Sequence, residues 1–195
     1  SFMAEMRDPY TGGHQQRVAH LARAIAEELD YPDEQVQGIY IAAMVHDIGK
    51  IAVPIEILFK PGRLTDLDMQ YIRMHPAAGY DILKMIEFRW PVAEIVLQHH
   101  ERIDGSGYPE GLEGTYILSE AKILGVADVV ESIATNRPYR GALGMDLAIE
   151  EISTNAGGLY DERVVEACVR VIQEKDFHFD MSSREIFIDK LKTRK

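Results

Sequence analysis

The sequence predicts an all-α fold built as a single domain, and three observations support this prediction. Apolar residues recur at helical spacing along most of the chain, as in residues 18–29, where they form one stripe opposite polar residues. The 195 residues suffice for one domain with a sizeable core but are short for two. The sequence contains neither an internal repeat nor a Pro/Ser-rich linker that would mark a boundary between domains.

The predicted helices follow one another with local start signals. Asp33 and Thr65 are predicted as N-caps, and Pro91 is predicted in a first helical turn. A glycine-rich loop is predicted from Asp104 to Thr115, and a short strand at 186–188. The predicted helical segments are residues 12–29, 33–44, a turn after Pro54, 65–74, 76–83, 91–98, 119–134, 145–153 and 161–172.

The composition argues against several classes of protein. The net charge of −11 disfavours binding to nucleic-acid polymers, which depends on many Lys and Arg contacts to phosphates. A local positive site could still bind a small phosphate ligand. No apolar run reaches the ~18 residues that a membrane span needs.

The cysteine content and the first residues suggest the setting of the protein. The one cysteine, Cys168, is predicted to be a small buried hydrophobic residue, which fits a reducing cytoplasm. Ser1 and Phe2 precede Met3, which suggests a domain excised from a longer signalling protein. Such a parent protein could tether the domain, and it would carry the missing regulatory part.

Two of the apolar helices end in pairs of residues that commonly bind metal ions. His46 with Asp47, and His99 with His100, each follow an apolar helical segment. A buried charge is costly unless it is paired or coordinated, and imidazole is the commonest metal-binding side chain. The alternatives are a satisfied core histidine with a capping aspartate for the first pair, and exposed helix-end histidines for the second.

Three further residues complete the candidate set. Asp128 lies within an apolar helix and needs a cation or a strong donor, although a salt bridge to an arginine would also satisfy it. His14 opens the first helix and His75 precedes Pro76; each alone would be an ordinary surface or capping histidine. The candidate metal ligands are therefore His14, His46, Asp47, His75, His99, His100 and Asp128.

Five imidazoles and two carboxylates are too many for one ion and suit two divalent ions roughly 3.5–4 Å apart. Nitrogen and oxygen ligands without thiolate favour iron, manganese, nickel or zinc over calcium. A hydroxide bridging the ions would be the nucleophile. The assignment is Asp47 as the bridging ligand, one ion on His14, His46 and Asp128, and the other on His75, His99 and His100.

Several motifs give the chain a resemblance to the HD-GYP family, a branch of the HD-domain phosphohydrolases. The strongest are H-D-I-G-K at residues 46–50 and H-H-E-R-I-D-G-S-G-Y-P at residues 99–109. V-A-D at 126–128, R-P-Y-R at 137–140 and R-D-P-Y-T-G-G-H at 7–14 also match the family pattern. An H-D pair alone is a weak signal, whereas the long string with the other motifs in order is specific. The resemblance covers about residues 5 to 175.

The resemblance implies an HD-domain helical bundle and a di-metal site, commonly of iron. It implies hydrolysis of cyclic di-GMP to linear pGpG or on to GMP, and it supports the same seven ligands. Some members carry a glutamate four residues before the first histidine and bind a third metal; Tyr10 stands there, so two ions are expected. Glu131 stands where the family commonly has aspartate, which could alter the ligand geometry near Arg137.

The resemblance also implies catalytic roles for residues beside the metal ligands. Lys50, close to Asp47, would bind the scissile phosphate or protonate the leaving oxygen, and Asp8 matches a position proposed for proton transfer. From the residues alone, Lys50 would be a solvated helix-end lysine. An aspartate before a proline, as Asp8 is, is also a common turn residue.

Substrate contacts are implied for a loop and for two arginines. Gly107, Tyr108 and Pro109 would shape a loop beside the substrate, with Tyr108 stacking on it or hydrogen-bonding to it. Arg137 and Arg140 would reach guanine edges or phosphate through bidentate contacts. The alternatives are a plain turn and two surface arginines.

Other functions remain open at this point. One is an HD-type phosphohydrolase acting on another nucleotide, including cyclic GMP-AMP. Another is a sensor or adaptor domain that binds the dinucleotide, or a diguanylate cyclase domain, without turnover. A helical interaction domain without a ligand would require seven metal-type residues to cluster in motifs by chance.

Overall fold

The computed structural model describes residues 13–135, 144–175 and 177–179, and these residues are helical, as predicted. The α-helices are α1 His14–Glu28, α2 Asp33–Val45, α3 Ile55–Leu58, α4 Asp66–Ile72, α5 His75–Leu83, α6 Val92–Gln98, α7 Ser119–Ala134, α8 Met145–Thr154 and α9 Glu162–Gln173. Two 3₁₀ helices span Ile48–Ala52 and Gly114–Tyr116. Within the described ranges, β pairing is confined to two isolated bridges, Asp104 with Glu113 and Ala156 with Tyr160. The strand predicted at 186–188 lies outside the described residues.

The predicted helix starts are confirmed at one position and wrong by one residue at two others. Thr65 caps α4 through a capping box, because its hydroxyl accepts from the N–H of Asp68 while the Asp68 carboxylate accepts from the N–H of Thr65. Asp33 is the first residue of α2 and not its cap, which is Pro32. An acidic side chain in the first turn still stabilises the helix dipole. Pro91 caps α6 from outside the helix, which begins at Val92.

Helices α1, α2 and α7 form the centre of the fold. Helix α1 packs against α2, α7 and α9, while α7 also contacts α6 and α8. Helix α5 packs against α6 and against the 3₁₀ helix Ile48–Ala52. Among the described residues, the apolar stripe of α1 and the interior faces of α6 and α7 supply five of the eight largest fully buried aliphatic side chains: Leu21, Ile25, Ile95, Ile123 and Leu124.

Cys168 is fully buried in this core, as predicted. Burial raises the pKa of its thiol to about 12, so the side chain behaves as a small apolar residue. Among the helices of the described residues, none has both the length and the apolar character required to cross a bilayer.

Candidate metal centre

The ends of four helices converge on one point beside the middle of α7. Helix α1 begins at His14 and α5 begins at His75, while His46-Asp47 directly follows α2 and His99-His100 directly follows α6. Asp128 projects from α7. Adjacent residues on a helix point roughly 100° apart, so two neighbours at a helix end can contact different parts of one cluster. All seven residues singled out in the sequence are thereby brought together.

The first group of ligands, here called the carboxylate half, consists of His14, His46 and Asp128. Their ligand atoms lie within 4.8 Å of one another. The distance from Asp128 Oδ1 is 3.4 Å to His14 Nε2 and 3.9 Å to His46 Nε2. All three residues are buried, so no exposed acidic surface is involved.

The second group, here called the imidazole half, consists of His75, His99 and His100. Their ligand atoms also lie within 4.8 Å of one another, and the Nε2 atoms of His75 and His99 are 3.3 Å apart. His75 and His99 are buried, and His100 is partly buried. The two triads are the same two that the sequence analysis assigned to separate ions.

Asp47 lies between the two halves. Its Oδ2 is 3.8 Å from His14 Nε2 and 3.6 Å from His46 Nε2, whereas its Oδ1 is 3.6 Å from His75 Nε2. One carboxylate oxygen therefore faces each half. Lys50 Nζ is 2.6 Å from Asp47 Oδ2, and its side chain keeps 22% of its surface exposed. Lys50 thus lies at the boundary between the buried ligand cluster and solvent.

Backbone carbonyls orient three of the imidazoles. The Nδ1 atoms of His46, His75 and His99 lie 2.7, 2.7 and 2.6 Å from the carbonyl oxygens three residues earlier. An Nδ1–H that donates to a carbonyl leaves Nε2 with a free lone pair, which is the tautomer that binds a metal. Among the described residues, the buried His46 Nε2 has no hydrogen-bond partner. A donor set with an unpaired inward nitrogen fits a divalent cation.

A carboxylate orients the fourth imidazole. Glu131 contacts Nδ1 of His14 through one oxygen and accepts hydrogen bonds from Arg17 at 2.8 Å and Thr135 at 3.0 Å through the other. Glu131 was predicted to affect ligand geometry near Arg137, which lies outside the described residues. The observed partners are His14 and Arg17. Arg17 was missed, although it lies three residues after His14 and hence on the same face of α1.

The electrostatics of the cluster favour the protonation states that ligands need. Burial opposes charge on Asp47 and Asp128, yet Lys50 and His14 respectively hold their pKa values well below the usual range. Burial lowers the pKa of His75 to about 4 and that of His100 to about 3. Anionic carboxylates and neutral imidazoles are the forms that bind metal ions.

His14 differs from the other histidines. Burial disfavours its charged form, but Glu131 and Asp128 more than offset this effect and raise its pKa to about 9. A cation that binds at Nε2 would replace a proton there while the contact between Nδ1 and Glu131 persists.

Two glycines allow the helix ends to approach so closely. A Cβ atom on Gly49 would lie 1.9 Å from the carbonyl oxygen of His75, and one on Gly125 would lie 2.7 Å from the carbonyl oxygen of His99. Real Cβ atoms do not tolerate such distances to backbone. The absence of a side chain at Gly49 therefore allows the 3₁₀ helix to pack closely against α5. Gly125 likewise allows α7 to pack closely against the end of α6.

The loop of Gly107, Tyr108 and Pro109 borders the imidazole half. The Tyr108 ring stacks on His100 with 4.7 Å between centroids and 29° between planes. A Cβ atom on Gly107 would lie 2.4 Å from the Cα of Glu101, so the loop packs directly on that backbone. The Glu101 carboxylate accepts hydrogen bonds from the N–H groups of residues 110 and 112. This anchoring role of Glu101 was not predicted, although the residue belongs to the long motif.

Burial raises the pKa of the Tyr108 hydroxyl above its usual value, so the phenol stays neutral beside the cluster. Arg73, another residue that was not predicted, lies over the ring of this loop tyrosine. Asp8, Tyr10, Arg137 and Arg140 lie outside the described residues, and their predicted roles stay predictions.

Comparisons with known proteins agree with this fold. A family model described as HD domain matches residues 1–164. The cyclic di-GMP phosphodiesterase response regulator RpfG of Xanthomonas campestris is 44% identical over 85% of this chain and 44% of its own length. The 3′3′-cGAMP-specific phosphodiesterase 1 of Vibrio cholerae is 36% identical over 88% of this chain and 40% of its own length.

Among solved structures, Bd1817, an HDG"Y"P protein from Bdellovibrio bacteriovorus, has the same fold, with a TM-score of 0.69 at 20% identity. The alignment covers 83% of this chain and 52% of that one. The chain spans less than half the length of the two curated relatives named above. The match to the family model and the ordered motifs lead to one conclusion: the chain belongs to the HD domain family, in its HD-GYP branch.

Proposed function

We propose that this chain hydrolyses cyclic di-GMP, to pGpG, to GMP or to both, with the help of two divalent metal ions. The observation that carries the proposal is the pair of ligand triads that share Asp47 between them. The name of the X. campestris relative, a cyclic di-GMP phosphodiesterase, supports the same substrate.

The proposed cofactor is a pair of iron ions, with manganese, nickel or zinc as alternatives. The carboxylate half would hold one ion and the imidazole half the other, and Asp47 could contribute to both. The donors are imidazole nitrogens and carboxylate oxygens without thiolate, a set that suits these metals. Bound divalent ions would supply a hydroxide nucleophile near neutral pH and neutralise charge on the phosphoryl oxygens.

The chain's own residues have separate proposed tasks. Asp47 keeps the two halves in position relative to each other and remains anionic. Lys50, partly exposed and 2.6 Å from Asp47, can bind the scissile phosphate or give a proton to the leaving oxygen. Tyr108 can stack on or hydrogen-bond to the substrate beside the imidazole half. Asp8, Arg137 and Arg140 keep the roles that the family resemblance implies, in proton transfer and in guanine or phosphate binding.

The proposed setting is the cytoplasm, with a diguanylate cyclase or sensor domain as the partner. A buried, unreactive Cys168 as the one cysteine of the chain is compatible with a reducing compartment. We also propose that the chain is one domain of a longer signalling protein.

The test is a comparison of the wild-type chain with Asp47→Asn, which keeps the shape of the side chain and removes its charge. Residues that only orient a metal ligand typically contribute about 10–100-fold to metal affinity or activity. Loss of the shared ligand Asp47 should therefore lower turnover at least about 100-fold. Product formation is followed by chromatography of pGpG and GMP, and metal content by elemental analysis. The Asn variant should also lose bound metal.

The matched control is Asp33→Asn, because Asp33 begins the same helix that ends just before His46. The control should keep both activity and metal. Full turnover by Asp47→Asn would refute the proposed site. Binding of cyclic di-GMP by the wild-type chain without any product would instead identify a sensor or adaptor.

A second candidate substrate is cyclic GMP-AMP, because the V. cholerae relative is named a 3′3′-cGAMP-specific phosphodiesterase. Assays of cyclic di-GMP and 3′3′-cGAMP at equal concentration separate the two candidates. We expect a higher kcat/KM for cyclic di-GMP.

A further inference from the structure

Arg73 extends the ring stack at the outer edge of the imidazole half. Its guanidinium carbon lies 5.4 Å from the centroid of the Tyr108 ring, and that ring stacks on His100. An arginine within about 6 Å of an aromatic centroid gains a cation–π attraction that fixes its position. The Tyr108 ring therefore contacts both the His100 imidazole and the guanidinium of Arg73, a residue exposed to solvent.

The backbone ties Arg73 to the metal centre as well. Arg73 is the residue that caps the end of α4, and its N–H donates to the carbonyl of Met69 at 2.9 Å. It lies two residues before His75, so their Cα atoms are at most about 7 Å apart. The arginine is therefore held beside the cluster from two directions, through its side chain and through the chain itself.

Arg73 differs electrostatically from two other arginines of this acidic chain. Arg89 and Arg170 pair with glutamates at 2.6 Å. In the part of the chain that the structure describes, no carboxylate oxygen lies within 4 Å of the Arg73 guanidinium nitrogens. Its positive charge and its in-plane N–H groups are available to an anionic ligand, and the guanidinium geometry suits bidentate contact with phosphate.

A cyclic dinucleotide carries two phosphates, and the metal centre can take only the one that is cut. We propose that Arg73, resting on Tyr108, binds the second phosphate of the substrate, the one that is not hydrolysed. The inference rests on the proposed function and deepens it, because it assigns a substrate-binding residue that holds the dinucleotide across the outer edge of the imidazole half.

The experiment compares Arg73→Gln with the wild-type chain on three diesters: cyclic di-GMP, 3′3′-cGAMP and bis(4-nitrophenyl) phosphate, which has a single phosphate. A hydrogen-bonded charge contact contributes enough for roughly a tenfold change in binding. We expect KM to rise about tenfold for both dinucleotides with little change in kcat. Cleavage of the single-phosphate diester and the metal content should stay as in the wild type.

Arg73→Lys should recover only part of the loss, because an ammonium keeps the charge but lacks the planar pair of donors. Arg89→Gln is the matched control. Arg89 precedes the start of α6, the end of that helix remote from His99, and it should leave all three reactions unchanged.

Several outcomes would overturn the assignment. Unchanged KM values in an active Arg73→Gln variant would remove Arg73 from substrate binding. A loss confined to cyclic di-GMP would point to guanine and not to phosphate, and an equal loss on bis(4-nitrophenyl) phosphate would point to damage at the metal centre. If the wild-type chain cleaves neither dinucleotide, the proposed function itself fails, and this inference fails with it.

Discussion

The two halves of the metal centre differ in the contact that orients His14. His46 of the carboxylate half faces a backbone carbonyl, as two histidines of the other half do. In the imidazole half, the Nδ1 atoms of His75 and His99 face backbone carbonyls. In the carboxylate half, Nδ1 of His14 faces the side chain of Glu131, which Arg17 and Thr135 hold in turn. The first arrangement is local, because each carbonyl belongs to the residue three positions earlier, whereas the second depends on residues distant in sequence. The orientation of His14 is thus the feature of the carboxylate half that substitution of Glu131 should disturb.

The halves also differ in charge. Asp128 and Glu131 both lie against His14, while Asp47 is the carboxylate that faces His75. A carboxylate that accepts from a ligating imidazole raises its basicity. If each half holds one divalent ion, as proposed, the ion in the carboxylate half should bind more tightly.

The largest difference in metal affinity between the two halves is expected in the Glu131→Gln variant. The substitution removes the charge that faces His14 and Arg17, so metal affinity in the carboxylate half should fall by about 10–100-fold. The imidazole half should keep its ion, so limited dialysis against a chelator should leave a chain with metal in that half. Titration with a chelating dye and elemental analysis measure both quantities.

Two further variants test whether the lost charge of Glu131 causes the lower metal affinity. Glu131→Asp restores the charge on a shorter side chain and should lose less affinity than the Gln variant. Glu27→Gln, at an exposed position of α1, the helix that begins at His14, should leave metal binding unchanged. Wild-type affinity in both halves of Glu131→Gln would show that the carboxylate does not support His14.

A smaller effect is expected from Gly125→Ala, which tests whether the packing of α7 against α6 couples metal binding in the two halves. The new Cβ would approach the His99 carbonyl oxygen to 2.7 Å and push α7, which carries Asp128, away from the end of α6. Overpacking costs about 1–3 kcal/mol, and helix propensity returns up to about 1 kcal/mol. The free energy of unfolding in denaturant should therefore fall by up to about 2 kcal/mol, with weaker metal binding in both halves.

Gly158→Ala serves as the control, because its Cβ would meet nothing closer than 3.6 Å. It should change stability by less than about 0.5 kcal/mol. If Gly125→Ala is equally harmless, α6 and α7 adjust independently and the halves are not coupled through this contact.

The smallest effect is expected from Tyr108→Ala, which removes the ring that stacks on His100. Ring pairs contribute about 0.5–1.5 kcal/mol, so metal affinity in the imidazole half should fall about 2–12-fold, while the carboxylate half is unaffected. Tyr108→Phe keeps the stack and should bind metal like the wild type. Equal losses in both variants would mean that the hydroxyl, not the ring, supports His100.

Much of the fold and the ligand set could be predicted because the signals are local. Helical periodicity gave the α-helices to within a few residues, and apolar context around His46-Asp47 and His99-His100 predicted burial that the structure shows. The helix starts at Asp33 and Pro91 were wrong by one residue, because a cap depends on backbone angles that several neighbouring residues can adopt.

The residues that were missed act over long separations. Arg17 and Glu131 are 114 positions apart, and Arg73 meets Tyr108 across two helices. The sequence drew attention to Glu131 as unusual, yet it could not supply the partner. Glu101 was visible within the motif, but its task of anchoring the loop depends on where residues 110 and 112 return to it.

The sequence by itself determined which side chains can ligate a metal and on which helices they lie, because residue type and periodicity are properties of short segments. Only the tertiary structure decided which ligands meet, that Asp47 faces both triads, and that Glu131 orients His14. The physical reason is that these contacts form between helix ends far apart in the chain. Their distances are fixed by packing, notably by the close approaches at Gly49 and Gly125.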